Sequence, residues 1–171
     1  MTALPKISTT LWFDKDAEEA AHHCVKAVPG SEVLGLERYG KGAPGPEGAV
    51  MLVRFRFGDR DFMALNGGPL FTPNESVSFT IYCEDQEEVD RLWSHMSEGG
   101  KTSRCGWLKD RWSFSWQIVP RRFAELMTSS PPEAKARVFG AMIANDEVRD
   151  RGARTRSVQL RDLKDGVTGH G

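Results

Sequence analysis

The chain has 171 residues, of which 39% are hydrophobic, so it is long enough to bury a core without disulfide support. Its formal net charge of -1 gives no basic footprint of the kind that binds nucleic acid or an acidic membrane surface. No apolar run has the length of a membrane-spanning helix, and the start, MTALPKIS, lacks the apolar core of a signal peptide. We therefore expect a soluble cytoplasmic protein that binds neither nucleic acid nor membranes.

The first predicted helix follows a β-type run over residues 7–13. Asp14 and Asp16 both suit its N-cap, because a carboxylate accepts hydrogen bonds from the free N–H groups at a helix start. Apolar residues then recur at i, i+3, i+4 and i+7 until Pro29-Gly30 ends the pattern, as expected for one face of an amphipathic helix. The residues on this face are Ala17, Ala20, Ala21, Cys24, Val25 and Val28.

Strands are predicted after this helix, and the same order of elements then returns. Runs rich in β-branched and aromatic residues predict strands over residues 32–39, 49–57 and 61–66. A second strand–helix pair follows, with the helix running from Asp85 to about Met96. Its expected buried face contains Val89, Leu92, Trp93 and Met96, and the later strands are expected around residues 101–106 and 112–119, separated by a loop over 107–111.

Two similar halves are indicated by this order. Sliding the chain by 69 positions puts Phe13 on Tyr82 and Asp16 on Asp85, and both helices end at glycine. We predict an α+β fold with two βαβββ modules over residues 5–70 and 75–120. A C-terminal helix is expected over residues 130–146, followed by an Arg-rich tail over 147–171 whose charge is diluted by Asp150, Asp162 and Asp165.

The segment CGWLKDRWSFSWQIVP, residues 105–120, combines an aromatic loop with an alternating strand pattern. Bulky and small polar residues alternate from Trp112 to Val119, which predicts one apolar and one polar face. A polar face is ordinary on an exposed sheet, and it also suits the wall of a ligand cavity. The tryptophans at 107, 112 and 116 fit a ligand wall, a core or a dimer interface, and these alternatives stay open.

Four blocks together resemble a known family: LWFDKDAEEAAHHCVKAVPGS, FMALNGGP, SFTIYCEDQEEVDRLW and CGWLKDRWSFSWQIVP. They are similar to the PhnB-like branch of the vicinal oxygen chelate superfamily, which includes glyoxalase I and the bleomycin-resistance proteins. The resemblance covers residues 5–145. It implies a single domain with a cupped mixed sheet that works as a homodimer. Some relatives carry the label demethylubiquinone methyltransferase, but no Gly-rich turn between strand and helix is present here to cradle a nucleotide-like cofactor. We therefore predict no cofactor.

Metal-using members of that superfamily place four His, Glu or Gln ligands on the cupped face. By the resemblance, the corresponding positions are Thr9, one of residues 64–66, Ser78 or Phe79, and Gln117. Gln117 is the plausible ligand among them and Asn66 a weak one. Because neutral hydroxyls and amides do not hold Zn²⁺, Ni²⁺ or Fe²⁺ with useful affinity, no metal site is predicted.

Other candidate groups have ordinary alternatives. His22 and His23 are adjacent on a helix and point about 100 degrees apart, so they do not share a metal as an i, i+4 pair would. Cys105 lies close to Lys109, which would lower the pKa of its thiol and favour a reactive thiolate. The alternative is an inert reduced thiol, since no base is identifiable in the sequence. Lys109 and Asp110 suit acid–base chemistry or a solvated loop. The three cysteines form no CxxC or CxxH pair, so no disulfide framework is expected.

The leading hypothesis is a metal-independent small-molecule-binding protein of the PhnB-like type, working as a homodimer. The alternative is a lyase, isomerase or dioxygenase of the same superfamily that uses a divalent metal. A third possibility is a structural protein whose cup is filled by bulky side chains. The residues predicted to line the ligand site are Thr9, Leu11, Asn66, Ser78, Thr80, Trp107, Ser115 and Gln117.

Overall fold

The computed structural model describes the backbone of residues 6–149 and their side chains, except those of residues 141 and 144–149. The described chain forms two compact units that meet in sequence between Pro73 and Asn74. From residue 150 onward, the predicted tail lies outside the described residues. Within residues 6–149, no helix is both long enough and apolar enough to cross a membrane.

The first unit is a βαβββ module. Its elements are β1 (Thr9–Phe13), α1 (Ala17–Ala27), β2 (Glu32–Arg38), β3 (Val50–Phe57) and β4 (Arg60–Asn66). The sheet order is β1-β4-β3-β2, with β1 parallel to β4 and the other pairs antiparallel. Each predicted strand of this module is confirmed to within two residues.

The first core lies between α1 and one face of this sheet. The helix contributes small side chains and the sheet contributes large ones, so the helix packs closely on aromatic residues. Buried on the helix are Ala17, Ala20, Ala21, Cys24 and Ala27, and buried on the strands are Leu11, Phe13, Val53, Phe55, Phe57, Phe62 and Ala64. The predicted helix face is confirmed except at its end, where Ala27 is buried and Val25 and Val28 are half-buried.

The second unit repeats the topology and adds two helices. Its elements are β5 (Ser78–Cys83), α2 (Gln86–Met96), β6 (Lys101–Thr102), β7 (Trp107–Lys109), β8 (Ser115–Pro120), α3 (Arg121–Ser129) and α4 (Pro132–Arg149). The sheet order β5-β8-β7-β6, with β5 parallel to β8, matches that of the first unit. The prediction of two βαβββ modules and a C-terminal helix is therefore confirmed, whereas α3 was not predicted.

Helix α2 begins with a reciprocal cap. The Asp85 carboxylate accepts a hydrogen bond from the Glu88 backbone N–H at 2.8 Å, and the Glu88 carboxylate accepts one from the Glu84 N–H at 2.8 Å. Two otherwise unpaired N–H groups are satisfied in this way. The predicted apolar face of the helix is confirmed, because its members Val89, Leu92, Trp93 and Met96 are all buried.

Two sequence predictions around β8 were wrong. The predicted strand over 112–119 begins only at Ser115, and the predicted loop over 107–111 contains β7. The reason is a tight turn: Ser113 has a φ of 73 degrees, and the Asp110 carboxylate accepts hydrogen bonds from the N–H groups of Trp112 and Phe114. A side chain that bonds its own backbone two residues ahead competes with strand pairing.

The 69-residue repeat aligns the helices but not the strand faces. Phe13 is 5% exposed and Cys83 0%, whereas Tyr82, the partner expected for Phe13, is 48% exposed. The second module has one residue fewer between its first strand and the helix N-cap. Because side chains alternate along a strand, this one-residue difference moves the expected partner to the opposite face.

Candidate ligand-binding site

The second sheet packs one face against α2 and leaves the opposite face uncovered by that helix. Pairing places Ser78 beside Ser115 and Thr80 beside Gln117, and it places Trp107 beside Gln117. We call this surface the second-sheet face. It holds five of the predicted site residues, Ser78, Thr80, Trp107, Ser115 and Gln117, together with Lys109.

A hydrogen bond joins the two parallel strands on this face. The Gln117 side-chain N–H donates to the Ser78 hydroxyl oxygen at 2.8 Å. This bond fixes the direction of the Gln117 amide, because its nitrogen points toward β5. The amide oxygen, the second amide N–H and the Ser78 hydroxyl proton take no part in this bond, so one acceptor and two donors remain for a ligand.

Ser115 is the most unusual polar residue of the second-sheet face. It is 2% exposed, and within residues 6–149 its hydroxyl oxygen has no hydrogen-bond partner. A buried polar group without a partner costs about 1–3 kcal/mol. A polar ligand atom or a water molecule that reached this hydroxyl would therefore be stabilised.

The charge on this face is balanced. The Lys109 ammonium lies 2.6 Å from the Glu75 carboxylate, and the hydrogen bond from Lys109 lowers the pKa of Glu75. Lys109 is thus engaged by an acid. Trp107, which is half-buried, supplies aromatic surface beside Gln117.

Asp110 has a structural role that the sequence interpretation missed. It is 4% exposed, and besides the two backbone contacts its second carboxylate oxygen accepts a hydrogen bond from the Trp116 indole at 2.8 Å. Burial raises the pKa of Asp110, while these N–H donors oppose that rise. The carboxylate therefore holds the β7–β8 turn and the Trp116 ring. An Asp followed by a turn-forming Ser was the sequence signal for this role.

The three tryptophans of this segment occupy different environments. A second core lies between α2 and the second sheet. Trp116 is buried in it, so the core interpretation is correct for this tryptophan. Trp112 is half-buried, with the Arg111 guanidinium 5.4 Å from its ring centre. Trp107 is the member of the cluster on the second-sheet face.

The remaining predicted site residues lie in the first unit. Leu11 is 5% exposed and belongs to the first core. The Asn66 amide accepts a hydrogen bond from the Ala17 N–H at 2.9 Å and donates one to the Val50 carbonyl at 3.0 Å, so it holds the start of α1. Thr9 is exposed on β1. The structure thus places Leu11 and Asn66, and by strand alternation Thr9, on the side of the first sheet that faces the helix.

The donor groups of this chain do not fit the metal ions used elsewhere in the superfamily. Asn66 is engaged in its own unit, and Ser78 and Gln117 offer a hydroxyl and an amide. Over the part of the chain that the structure describes, no three His, Cys, Asp or Glu side chains are grouped to hold a metal ion. His22 is exposed and His23 half-buried on α1. Zn²⁺, Ni²⁺ and Fe²⁺ need stronger donors than the Ser78 hydroxyl and the Gln117 and Asn66 amides.

The comparison with protein families decides the relationship. The family described as 3-demethylubiquinone-9 3-methyltransferase matches residues 5–119. The chain belongs to this family. Its PhnB-like members form a branch of the vicinal oxygen chelate superfamily, so the resemblance seen in the sequence is confirmed.

Solved structures of two bacterial proteins are similar to this PhnB-like chain. A Bacillus cereus protein titled putative 3-demethylubiquinone-9 3-methyltransferase, PhnB protein, is 30% identical, with a TM-score of 0.59; the match covers 68% of this chain and 99% of that one. The protein PA1353 from Pseudomonas aeruginosa is 20% identical, with a TM-score of 0.57; the match covers 68% and 98%. The second similarity shows the fold alone. No curated protein matches the chain.

The methyl transfer named in the family description needs a methyl donor, and the strand–helix connections of this chain do not fit a nucleotide-like one. The β1–α1 connection is Asp14-Lys15-Asp16 and the β5–α2 connection is Glu84-Asp85. Neither contains the glycines that let a backbone approach such a cofactor closely.

The reactivity of the three cysteines gives a first test of how far each is buried. Burial raises the pKa of Cys83 to about 12, and Cys24 is also buried, whereas Cys105 is half-buried in the β6–β7 turn. Because the thiolate is the reactive form, iodoacetamide at about pH 8 should modify Cys105 and spare the other two. Intact-mass analysis with peptide mapping would measure this, and denaturant should expose all three. Modification of Cys83 in the folded protein would contradict its burial.

Proposed function

We propose that this PhnB-like protein binds a small molecule without a metal ion, as a homodimer, and that the ligand lies on the second-sheet face. The observation that carries the proposal is the buried Ser115 hydroxyl without a described partner, in the strand that also holds Gln117, which is hydrogen-bonded to Ser78 of β5. A buried donor that the protein leaves unpaired favours a ligand that pairs with it. The homodimer rests on the resemblance to the family and is tested by sedimentation equilibrium.

The chemistry of this face favours an uncharged ligand with both hydrogen-bond donors and acceptors. Gln117 offers an amide oxygen, and Ser78 and Ser115 offer hydroxyls. Lys109 contributes little net charge because Glu75 lies beside it. Trp107 supplies an aromatic surface, against which a flat or apolar part of the ligand packs. No residue is assigned to a bond-breaking step.

A panel of metabolites and antibiotics, screened by thermal shift and native mass spectrometry, tests the proposal. If none of the compounds binds to the folded protein, the result would count against the proposal. Elemental analysis tests the metal-free part separately. Near-stoichiometric Ni, Zn, Fe or Mn that survives dialysis would favour the alternative, a metal-dependent lyase, isomerase or dioxygenase.

Gln117→Leu should weaken the binding of any ligand found by that screen by about tenfold or more while leaving the fold intact, because it removes a hydrogen-bonding amide. Isothermal titration would measure the loss. Gln86→Leu, the same change at the start of α2, is the matched control and should bind normally. Gln117→Glu should not create micromolar affinity for zinc or nickel, since the surrounding hydroxyls are weak metal donors.

Ser115→Ala distinguishes a binding role from a structural one. If the hydroxyl serves a ligand, its removal should leave the ligand-free protein equally stable or more stable, because an unpaired buried group is lost. The same variant should bind the ligand less tightly. Loss of stability without loss of affinity would assign Ser115 to the fold.

A further inference from the structure

The first sheet also has a face turned away from its helix, and two arginines of β3 lie on it. Val53, Phe55 and Phe57 are buried against α1, so Arg54 and Arg56 point to the other side. Both are half-buried. We call this surface the first-sheet face. The two arginines differ sharply in their partners.

Arg56 is compensated by acids of its own sheet. Its Nε donates to the Asp61 carboxylate at 2.8 Å and a terminal nitrogen approaches the second oxygen at 3.4 Å. The Glu32 carboxylate lies 3.6 Å from its other terminal nitrogen. This forked pairing is the geometry in which arginine binds a carboxylate most firmly.

Arg54, two residues earlier, has no such partner among residues 6–149. The Glu37 carboxylate is 4.0 Å from its Nε, which is too long for a hydrogen bond. The Nε is buried and makes no hydrogen bond to any described residue. The side chain is nevertheless 40% exposed, so part of it is accessible from solution.

Gly35 allows this guanidinium to lie against the neighbouring strand. Gly35 pairs with Arg54, and the register of β2 shifts between Val33 and Gly35. A Cβ atom at this position would lie 2.9 Å from a terminal nitrogen of Arg54 and 3.5 Å from its Cζ. Gly35 does not have a positive φ, so the glycine serves close approach and not backbone conformation.

On the side of Arg54 away from the Arg56–Asp61 pair, this face is mainly apolar, with Glu37 at the β2 end of the next row. Met63 lies directly opposite Arg54 on β4. The next row across the sheet contains Leu52, Leu65 and Trp12, and all of these side chains are half-buried. An anion bound here would therefore contact the Arg54 guanidinium at one end and apolar side chains at the other.

We propose that Arg54 is the anchor of an oxyanion-binding site on the first-sheet face. The ligand is a small organic anion whose carboxylate or phosphonate pairs with the guanidinium and whose apolar part lies on Met63 and Leu65. This site belongs to the first unit and goes beyond the proposed function, since it involves none of the second-sheet residues.

Titration followed by ¹H–¹⁵N NMR of the arginine Nε–H groups tests this site. The probes are benzoate and phenylphosphonate, which separate the two oxyanion types, and benzamide is the uncharged control. We expect a saturable shift of the Arg54 signal with at least one anion and none with benzamide. Absence of a saturable shift with either anion, or equal binding of benzamide, would overturn the proposal.

Substitutions test whether the NMR shift depends on Arg54 and on its position over Gly35. Arg54→Gln should weaken anion binding by about tenfold or more, whereas Arg56→Gln and the exposed Arg60→Gln should change it by less than about twofold. Gly35→Ala keeps every charge but displaces the guanidinium, so it should also weaken binding. Unchanged binding in Arg54→Gln, or equal losses in all three arginine variants, would contradict a specific role for Arg54. Gln117→Leu should leave this titration unchanged, so failure of either site is recognised separately.

Discussion

Trp93→Ala is expected to lower the free energy of unfolding by about 3 to 5 kcal/mol. Trp93 is 7% exposed, on the face of α2 that also buries Val89, Leu92 and Met96. Removing the indole would leave a cavity between the helix and the second sheet, because the surrounding side chains relax only in part. The cost should therefore be near the upper end of what single substitutions cause.

Chemical denaturation followed by far-UV circular dichroism measures this change without depending on tryptophan fluorescence. Ser94→Ala, the exposed neighbour on the same helix, is the matched control and should change stability by less than about 0.5 kcal/mol. A folded Trp93→Ala protein with the same denaturation midpoint as the parent would show that the indole contributes little to the second core.

Asp110→Ala is expected to destabilise the second unit by about 3 kcal/mol or more, because three N–H groups lose their common acceptor. These donors are the backbone groups of Trp112 and Phe114 and the indole of Trp116. Asp110→Asn should cost less, about 1–3 kcal/mol. One amide oxygen still serves the backbone groups, but the amide nitrogen then faces the indole N–H, and two donors do not pair.

Thermal unfolding and near-UV circular dichroism measure both variants. The second method reports the packing of tryptophan rings, and we expect a weaker signal once Trp116 loses its anchor. Asp59→Asn, whose parent carboxylate is 91% exposed, is the control and should behave like the parent protein. Equal stability of Asp110→Ala and the parent would mean that the turn is held by its backbone bonds alone.

The Asp110 variants also bear on the proposed function. The turn that Asp110 holds joins β7, which carries Trp107, to β8, which carries Ser115 and Gln117. If that turn loosens, the spacing of these three side chains changes even though none of them is replaced. Ligand affinity should then fall together with the near-UV signal, whereas the oxyanion titration of the first unit should not change.

Much of the fold was predictable because its signals are local. Apolar spacing identified the buried faces of α1 and α2, and Asp85 identified a helix start, since periodicity and capping depend on neighbours within one or two turns. The order strand, helix, strands in both halves followed from the same signals. The PhnB-like family could be recognised from residue blocks such as FMALNGGP.

Local signals could not decide which face of a strand each residue occupies. Thr80 and Ser115 lie on the sheet face turned away from α2, whereas Leu11, placed in the same predicted site, is buried against α1, since the two modules differ by one residue between strand and helix. That difference reverses the faces of the first-strand residues when the two modules are aligned through their helices. Alternation alone says which residues share a face, and only packing against a helix says which face is buried.

The roles of individual charges were decided by tertiary structure as well. Composition and spacing treat Arg54 and Arg56 alike, yet Arg56 is hydrogen-bonded to Asp61, whereas Arg54 lies over Gly35 with its nearest acid, Glu37, 4.0 Å away. In the same way, the sequence alone is compatible with Asp110 as a solvated loop residue, whereas the structure buries it in the β7–β8 turn. The sequence alone determined the elements, their order and the family; strand pairing determined which polar groups are satisfied, because their partners come from distant segments of the chain.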